Sequence, residues 1–223
     1  MKDNRIDFII NQIQTKSIVV DVGSDHAKLA IKLLKTKKAI HVYNIELNRA
    51  PYLITINNLK KNGLLNQTTN LLGNGLQMDE INEPIDYCVI SGMGSNNIID
   101  ILQHKSKKIH IKTFIFLPNN YPNILRKYLK EQNYKVRYED VIKEGKYYYS
   151  LMVVSKKQGL MIKNKYQTYF GPYNLKYPTL TFQQMYQQRV DYIQNNKLHL
   201  HNQLINQELN LLKEQKYENY WNR

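Results

Sequence analysis

Apolar positions along this chain follow two alternating rhythms. Ser17 to Asp21 (SIVVD) is a β-branched run that ends on an acid, and GSDHAKLAIKLLK follows with Leu29, Ile31, Leu33 and Leu34 as its apolar positions. That order predicts a strand, a Gly turn and a helix. The pattern recurs in Ala39 to Ile45 with a helix from Arg49 to Lys61, in Thr69 to Leu72, and in Ile85 to Ile90 with a helix from Asn96 to Gln103. Phe114 to Leu117 precedes a helix over Asn123 to Gln132, where Ile124, Leu125, Tyr128 and Leu129 keep helical spacing. Tyr134 to Asp140 and Tyr147 to Val154 are β-rich runs joined by KEGK, a hairpin signature. The whole predicts an α/β fold: a mostly parallel, doubly wound sheet with one reversed strand in an antiparallel edge hairpin.

The pattern changes after Gly159. A Tyr-, Lys- and Asn-rich stretch with a Gly171-Pro172 break leads into a run without Pro or Gly from Thr181 to the last residue. Tyr186, Val190, Ile193, Leu200, Leu204 and Leu211 stand three, four or seven apart, the seam of a coiled coil or a helical hairpin. Lys197 and Gln207 interrupt that seam and Asn195-Asn196 offers a turn, so one long helix and two antiparallel ones are both open. The expected division is a sheet domain over residues 1–158, a linker over 159–180 and a helical, coiled-coil-like appendage over 181–223.

The 223 residues and 42% apolar content fit one ordinary domain plus an appendage. Cys88 is the single cysteine, so no internal disulfide forms, and no clustered His/Cys set predicts a metal. Met1 to Phe8 (MKDNRIDF) lacks a leader-like apolar stretch, and the apolar runs are strand-sized, so a cytoplasmic protein without a membrane partner is expected; a monomer is expected as well. Charge adds more. The 32 Lys+Arg against 18 Asp+Glu give +14, and residues 101–165 alone hold 15 basic and 4 acidic side chains. Such a one-sided excess favours a polyanionic partner, nucleic acid before membrane.

The first predicted strand and turn, Val19 to Ala27 (VVDVGSDHA), carry the most informative chemistry. Gly23 lets bare backbone approach a ligand, with Ser24 beside it. A dinucleotide site would need G-x-G-x-x-G to receive a pyrophosphate. Here acids flank a single glycine, at Asp21 and Asp25, and would repel one. They suit a ligand with an ammonium and a sulfonium, and S-adenosyl-L-methionine is such a ligand. Glu46, followed by Leu47, closes the second strand 25 residues after Asp21, where an acid accepts from ribose hydroxyls. Asn74 in Gly73-Asn74-Gly75-Leu76 offers an amide to an adenine edge and Leu76 a packing face; Ser91, Gly92 and Met93 form a further loop with a pliable apolar wall.

These residues, in this order, resemble the bacterial tRNA (adenine-22)-N1-methyltransferase family. The matching stretches are VDVGSDHAKLAI, IELNRAPY, GNGL, VISGMGSNNIIDIL, FLPNNYPNILRKYLKEQNY, EDVIKEGKYYYSLMVV and YFGPYNL, which cover essentially the whole chain. The resemblance implies a Rossmann-like class I fold, S-adenosylmethionine as cofactor, tRNA as partner and an appendage that helps hold it. Departures are Ser95-Asn96-Asn97 after GMG, Arg49, Ser150 and a shorter appendage.

Adenine N1 carries a lone pair, so its methylation needs alignment more than a strong base, and the product is cationic. Asp25 and His26 are the candidates for the electrostatic role. Pro118-Asn119-Asn120-Tyr121 supplies amides to read a base edge and a ring to stack on it, with Asn119 and Tyr121 as candidates. Expected RNA contacts are Lys107, Lys108, Arg126, Lys127, Tyr149, Lys156 and Lys157, where cations and tyrosines interleave. The rival readings are a methyltransferase for another RNA site and a non-catalytic RNA-binding module.

Overall fold

The computed structural model describes residues 4–195. A first helix, α1 (Asn4–Asn11), leads into β1 (Ser17–Val22), a short 3-10 turn at Asp25–Ala27 and α2 (Lys28–Lys35). Then come β2 (Ala39–Glu46), α3 (Arg49–Lys61), β3 (Thr68–Leu72), β4 (Ile85–Ser91), α4 (Ser95–Gln103), β5 (Ile111–Leu117) and α5 (Pro122–Glu131). The chain continues through β6 (Lys135–Glu144), β7 (Tyr147–Ser155), β8 (Leu160–Met161), α6 (Lys165–Phe170), α7 (Pro172–Lys176) and α8 (Leu180–Asn195).

One sheet holds all eight strands in the order β3-β2-β1-β4-β5-β7-β6-β8. β1 to β5 pair in parallel, and β7 runs antiparallel to both β5 and β6. The expected reversed strand exists, but it lies inside the sheet between β5 and β6, because the tight Gly145-Lys146 turn folds β7 back into that gap. β8 is the edge and is also antiparallel to its neighbour.

Successive residues of the central strands feed opposite faces. Val19, Val42, Val89 and Ile115 join one core with Ile9, Ile10, Leu33 and Leu59 from the helices. Val20, Ile45, Cys88, Ile90 and Phe116 join another with Ile98, Leu125 and Leu129. Burial on both faces is why these strands read as continuous apolar runs rather than alternating ones.

Residues 159–180, expected to link, contain β8, α6 and α7. Phe170, Leu175 and Phe182 pack with Val141 of the hairpin in a third core. Beneath it Arg126 and Glu139, both buried, pair at 2.6 Å. Arg126 also donates to the carbonyl of Tyr169 (2.9 Å), and Glu139 accepts from the backbone N–H of Tyr173 (3.2 Å). The corner at Gly171 (φ +90°) has no room for a Cβ, which would collide with the Glu139 carboxylate. The rings of Tyr186 and Phe170 meet edge to face with centroids 5.2 Å apart, so the root of α8 is docked on the sheet domain. Seam positions from Leu200 onward lie outside the described residues, as does the choice between one long helix and two.

Candidate active site

The carboxyl ends of β1, β2, β3, β4 and β5 carry Gly23, Glu46, Gly73, Ser91 and Leu117, so every loop singled out as ligand-binding lies along one edge of the sheet. A cavity of about 110 Å³ opens there, lined by Asp21, Gly23, Ser24, Asp25, Ser91 and Gly92 among others. Asp21 sits on the central strand between Asn44 and Val89. Its side chain is buried and its Oδ2 has no hydrogen-bond partner. Burial first, then the charges of Glu46 and Asp25, push its carboxyl up to about 7. An orphaned carboxylate costs about 1–3 kcal/mol or more, which a cationic ligand would recover.

Glu46 is buried and accepts from Ser24 Oγ at 2.8 Å through Oε1; Thr55 Oγ1 lies 3.2 Å from the same hydroxyl. That contact fixes the carboxylate and leaves Oε2 for other donors. After Ser24 the backbone turns left-handed at three successive non-glycine residues, Asp25 (φ +34°), His26 (φ +66°) and Ala27 (φ +61°). Each such residue costs roughly 1–2 kcal/mol. The turn holds because Ala27 is wholly buried, its N–H reaches Ser24 O at 3.0 Å, and Asn58 donates to His26 O at 3.0 Å. Strain of this kind gathers where a surrounding fold over-determines a site. The exposed side chain of Asp25 meets Lys28 at 3.0 Å and His26 Nε2 at 3.4 Å.

The Pro118–Tyr121 loop is tied to the loop after β4. Asn119 Nδ2 donates to Gly92 O at 2.6 Å, its N–H donates to Met93 O at 2.8 Å, and Ser95 Oγ reaches Asn120 O at 2.7 Å and Tyr121 O at 2.9 Å. Met93 folds over Gly23, where its terminal methyl fills the space a Cβ would need. A larger cavity of about 540 Å³ is walled by Tyr121, Tyr148, Tyr169, Arg189 and Tyr192. Leu117 lines the small cavity and Tyr121 the large one, so the Asn119 loop runs from a wall of one to a wall of the other.

A family model described as tRNA (adenine(22)-N(1))-methyltransferase matches residues 19–219. The chain belongs to this family. The tRNA (adenine(22)-N(1))-methyltransferase of Bacillus subtilis is 31% identical over 149 residues, 65% of this chain and 61% of that protein. The structure of M. capricolum TrmK in complex with S-adenosyl-homocysteine superposes with a TM-score of 0.81 at 26% identity, covering 96% of this chain and 97% of that one. Streptococcus pneumoniae Sp1610 in complex with S-adenosyl-L-methionine gives 0.82 at 26% identity, covering 96% and 99%.

Within this tRNA (adenine(22)-N(1))-methyltransferase fold the expected residues divide. Asp21, Gly23, Ser24, Asp25, Ser91 and Gly92 share the small cavity. Glu46, exposed Leu47 and exposed Asn74 stand on the same edge at the neighbouring strand ends. Leu76, expected to pack on the cofactor, is wholly buried in the second core, next to the left-handed Gly75 that packs against Ile101. Arg126, expected to contact RNA, is buried and paired with Glu139, and it lines the larger cavity. Tyr149 is half-buried, with the Arg5 guanidinium 5.2 Å above its ring.

Strand direction places four of the expected lysines away from the small cavity. Lys107 and Lys108 precede β5, and Lys156 and Lys157 follow the antiparallel β7, so all four lie at the end of the sheet opposite the site. Lys108 is also paired with Asp79 at 2.6 Å, and Lys156 lies over the Tyr134 ring at 4.9 Å. The hairpin tip presents two cations at the site's own end: Lys143 and Lys146, each 5.4 Å from a tyrosine ring, Tyr148 and Tyr147. The sequence reading passed over them, although KEGK contains both. Lys127 is exposed on α5. Among the described residues no His/Cys/Asp/Glu group is arranged for a metal, and no helix is long and apolar enough to cross a membrane.

Proposed function

We propose that the chain transfers a methyl group from S-adenosyl-L-methionine to N1 of adenosine 22 of tRNA, and that the small cavity with the strand ends beside it receives the cofactor and the larger cavity the nucleotide. The observation that carries this reading is the buried, partnerless Oδ2 of Asp21 in a cavity walled by glycine loops. The residues fit the group: acids where its cationic end would lie, a carboxylate at Glu46 for ribose hydroxyls, and an amide at Asn74 for the adenine edge. When bound, the cofactor supplies an electrophilic methyl on a sulfonium.

The chain's own contribution is alignment. Asn119 spends its Nδ2 on Gly92, so its Oδ1 remains to accept from the N6 amino group of adenine, which turns N1 toward the cofactor loop. Tyr121, 55% exposed at the start of α5, offers a stacking face to the displaced base. Asp25 supplies negative charge near a product that becomes cationic, and His26 is held beside it by the left-handed turn. Docking of RNA draws on the hairpin-tip lysines, Lys127 and the tyrosine-walled cavity, with α8 as its far wall.

Calorimetry with S-adenosylhomocysteine tests the cofactor half. Binding by the wild type and its loss in Asp21→Ala are expected; wild-type affinity in that variant contradicts the assignment.

A further inference from the structure

The sheet domain grips the segment that leads into α8 from both faces of one strand. Among the described residues β8 pairs only with Lys135 and Val136, so beyond them β6 is a sheet edge, and the chain from α6 to α8 packs around it. Glu139 and Asp140 are neighbours on β6, so their side chains leave opposite faces of the strand. Glu139 holds α7 through the N–H of Tyr173. Asp140 is buried and holds the root of α8: its Oδ1 accepts from Thr179 Oγ1 at 2.6 Å and from the N–H of Val141 at 2.7 Å, and its Oδ2 accepts from the Tyr138 hydroxyl at 3.1 Å. Thr179 is at the same time the N-cap of α8, since its Oγ1 accepts from the N–H of Phe182 at 3.3 Å and its carbonyl from the N–H of Gln183 at 2.9 Å. One hydroxyl both starts the helix and ties it to the sheet.

We propose that Asp140 is a positioning residue for the nucleotide: through Thr179 it fixes the angle of α8, and with it the wall that Met185, Arg189 and Tyr192 give the larger cavity. This rests on the reading of that cavity as the nucleotide site. Arg189 lies about 15 Å along the helix from Thr179, at about 1.5 Å per residue, so a swing of about 10° at the root carries it about 2.5 Å. That is enough to part any hydrogen-bonded pair. Phe182 and Tyr186 hold the helix to the third core, but apolar packing is non-directional, and the bond to Asp140 supplies the direction. The carboxylate thus acts on the nucleotide through the helix, without touching it.

The test is methylation kinetics on the full chain with tRNA, beside calorimetry with S-adenosylhomocysteine. Thr179→Val, which keeps the shape and loses the hydroxyl, is expected to raise KM for tRNA about 10-fold, the size of one lost hydrogen bond to a charged group, with kcat within about twofold and S-adenosylhomocysteine affinity unchanged. Thr179→Ser is expected to restore the wild-type KM. Asp140→Ala should give the same rise as Thr179→Val, and the double variant no more than either alone, because both act through one contact. An unchanged KM in Thr179→Val, no rescue by Ser, or additive losses in the double variant would overturn the proposal. So would a parallel loss of S-adenosylhomocysteine affinity, which marks damage to the whole domain. Tyr192→Ala separates this from the cavity reading: no rise in KM there means that the cavity does not hold the nucleotide and both fall, whereas a rise there with none in Thr179→Val removes Asp140 alone.

Discussion

Asn119 donates its side-chain amide to the carbonyl of Gly92 at 2.6 Å, clamping the loop proposed to hold the base onto the loop proposed to hold the cofactor. The two loops follow adjacent strands, β4 and β5, and together with the Asn119 N–H to Met93 O and Ser95 Oγ bonds this contact fixes the spacing between them. Small displacements at such a junction are costly because in-line transfer depends on alignment. Asn119→Ala should lower kcat about 10- to 100-fold while S-adenosylhomocysteine affinity changes little. Single-turnover kinetics beside calorimetry make the comparison, and near-normal turnover would remove Asn119 from the mechanism.

Asp21 predicts a pH dependence with a definite sign. Its carboxyl titrates at about 7 in the fold against an ordinary value of 3.8. Between those values the folded protein keeps a proton the unfolded chain has released, so stability contributed by this residue is present at low pH and falls as pH rises toward 7. Ligand affinity moves the other way, since the ionised form attracts an ammonium. S-adenosylhomocysteine binding should tighten from pH 5.5 to about 7 and then level. Asp21→Asn should flatten both profiles, and an unchanged binding profile in that variant would assign the titration elsewhere.

The Arg126–Glu139 pair predicts a stability effect rather than an RNA effect. Both groups are buried, and burial pushes the Glu139 carboxyl up against the opposing pull of Arg126. Arg126→Ala leaves that carboxylate uncompensated and should cost about 3–5 kcal/mol in urea unfolding. A loss of tRNA affinity without a loss of stability would contradict the structural role.

Much of this was legible in the chain itself, and the exceptions have physical causes. The parallel core could be read because strands buried on both faces must be apolar throughout and must end in glycine loops where a ligand approaches, as at Val19 to Gly23 and Val89 to Gly92. Helices α6 and α7 could not, since their five or six residues are held by the long-range Arg126–Glu139 contact. Helix α1 went unread for a related reason: Ile9 and Ile10 find their partners only once β1 and α2 are packed beneath them. Charge counted along a chain also cannot tell one end of a strand from the other. Residues 101–165 looked like one basic surface, yet strand direction sends Lys107, Lys108, Lys156 and Lys157 away from the site and brings the hairpin tip toward it.

That separation is itself testable through salt dependence. If about five phosphates are neutralised, log affinity for tRNA should fall with log salt at a slope of roughly −4. Changing Lys143 and Lys146 together to Gln should weaken binding and flatten the slope by about 2, while the same changes at Lys107 and Lys108 should alter neither. The opposite ranking would return the RNA to the far end of the sheet.

The most direct measurement incubates the purified chain with methyl-labelled S-adenosylmethionine and bulk tRNA, digests the product and maps the labelled nucleoside. The account predicts label on N1 of adenosine at position 22, abolished when that adenosine is replaced. Label at another nucleoside or position, or none under conditions where S-adenosylhomocysteine binds, would contradict it.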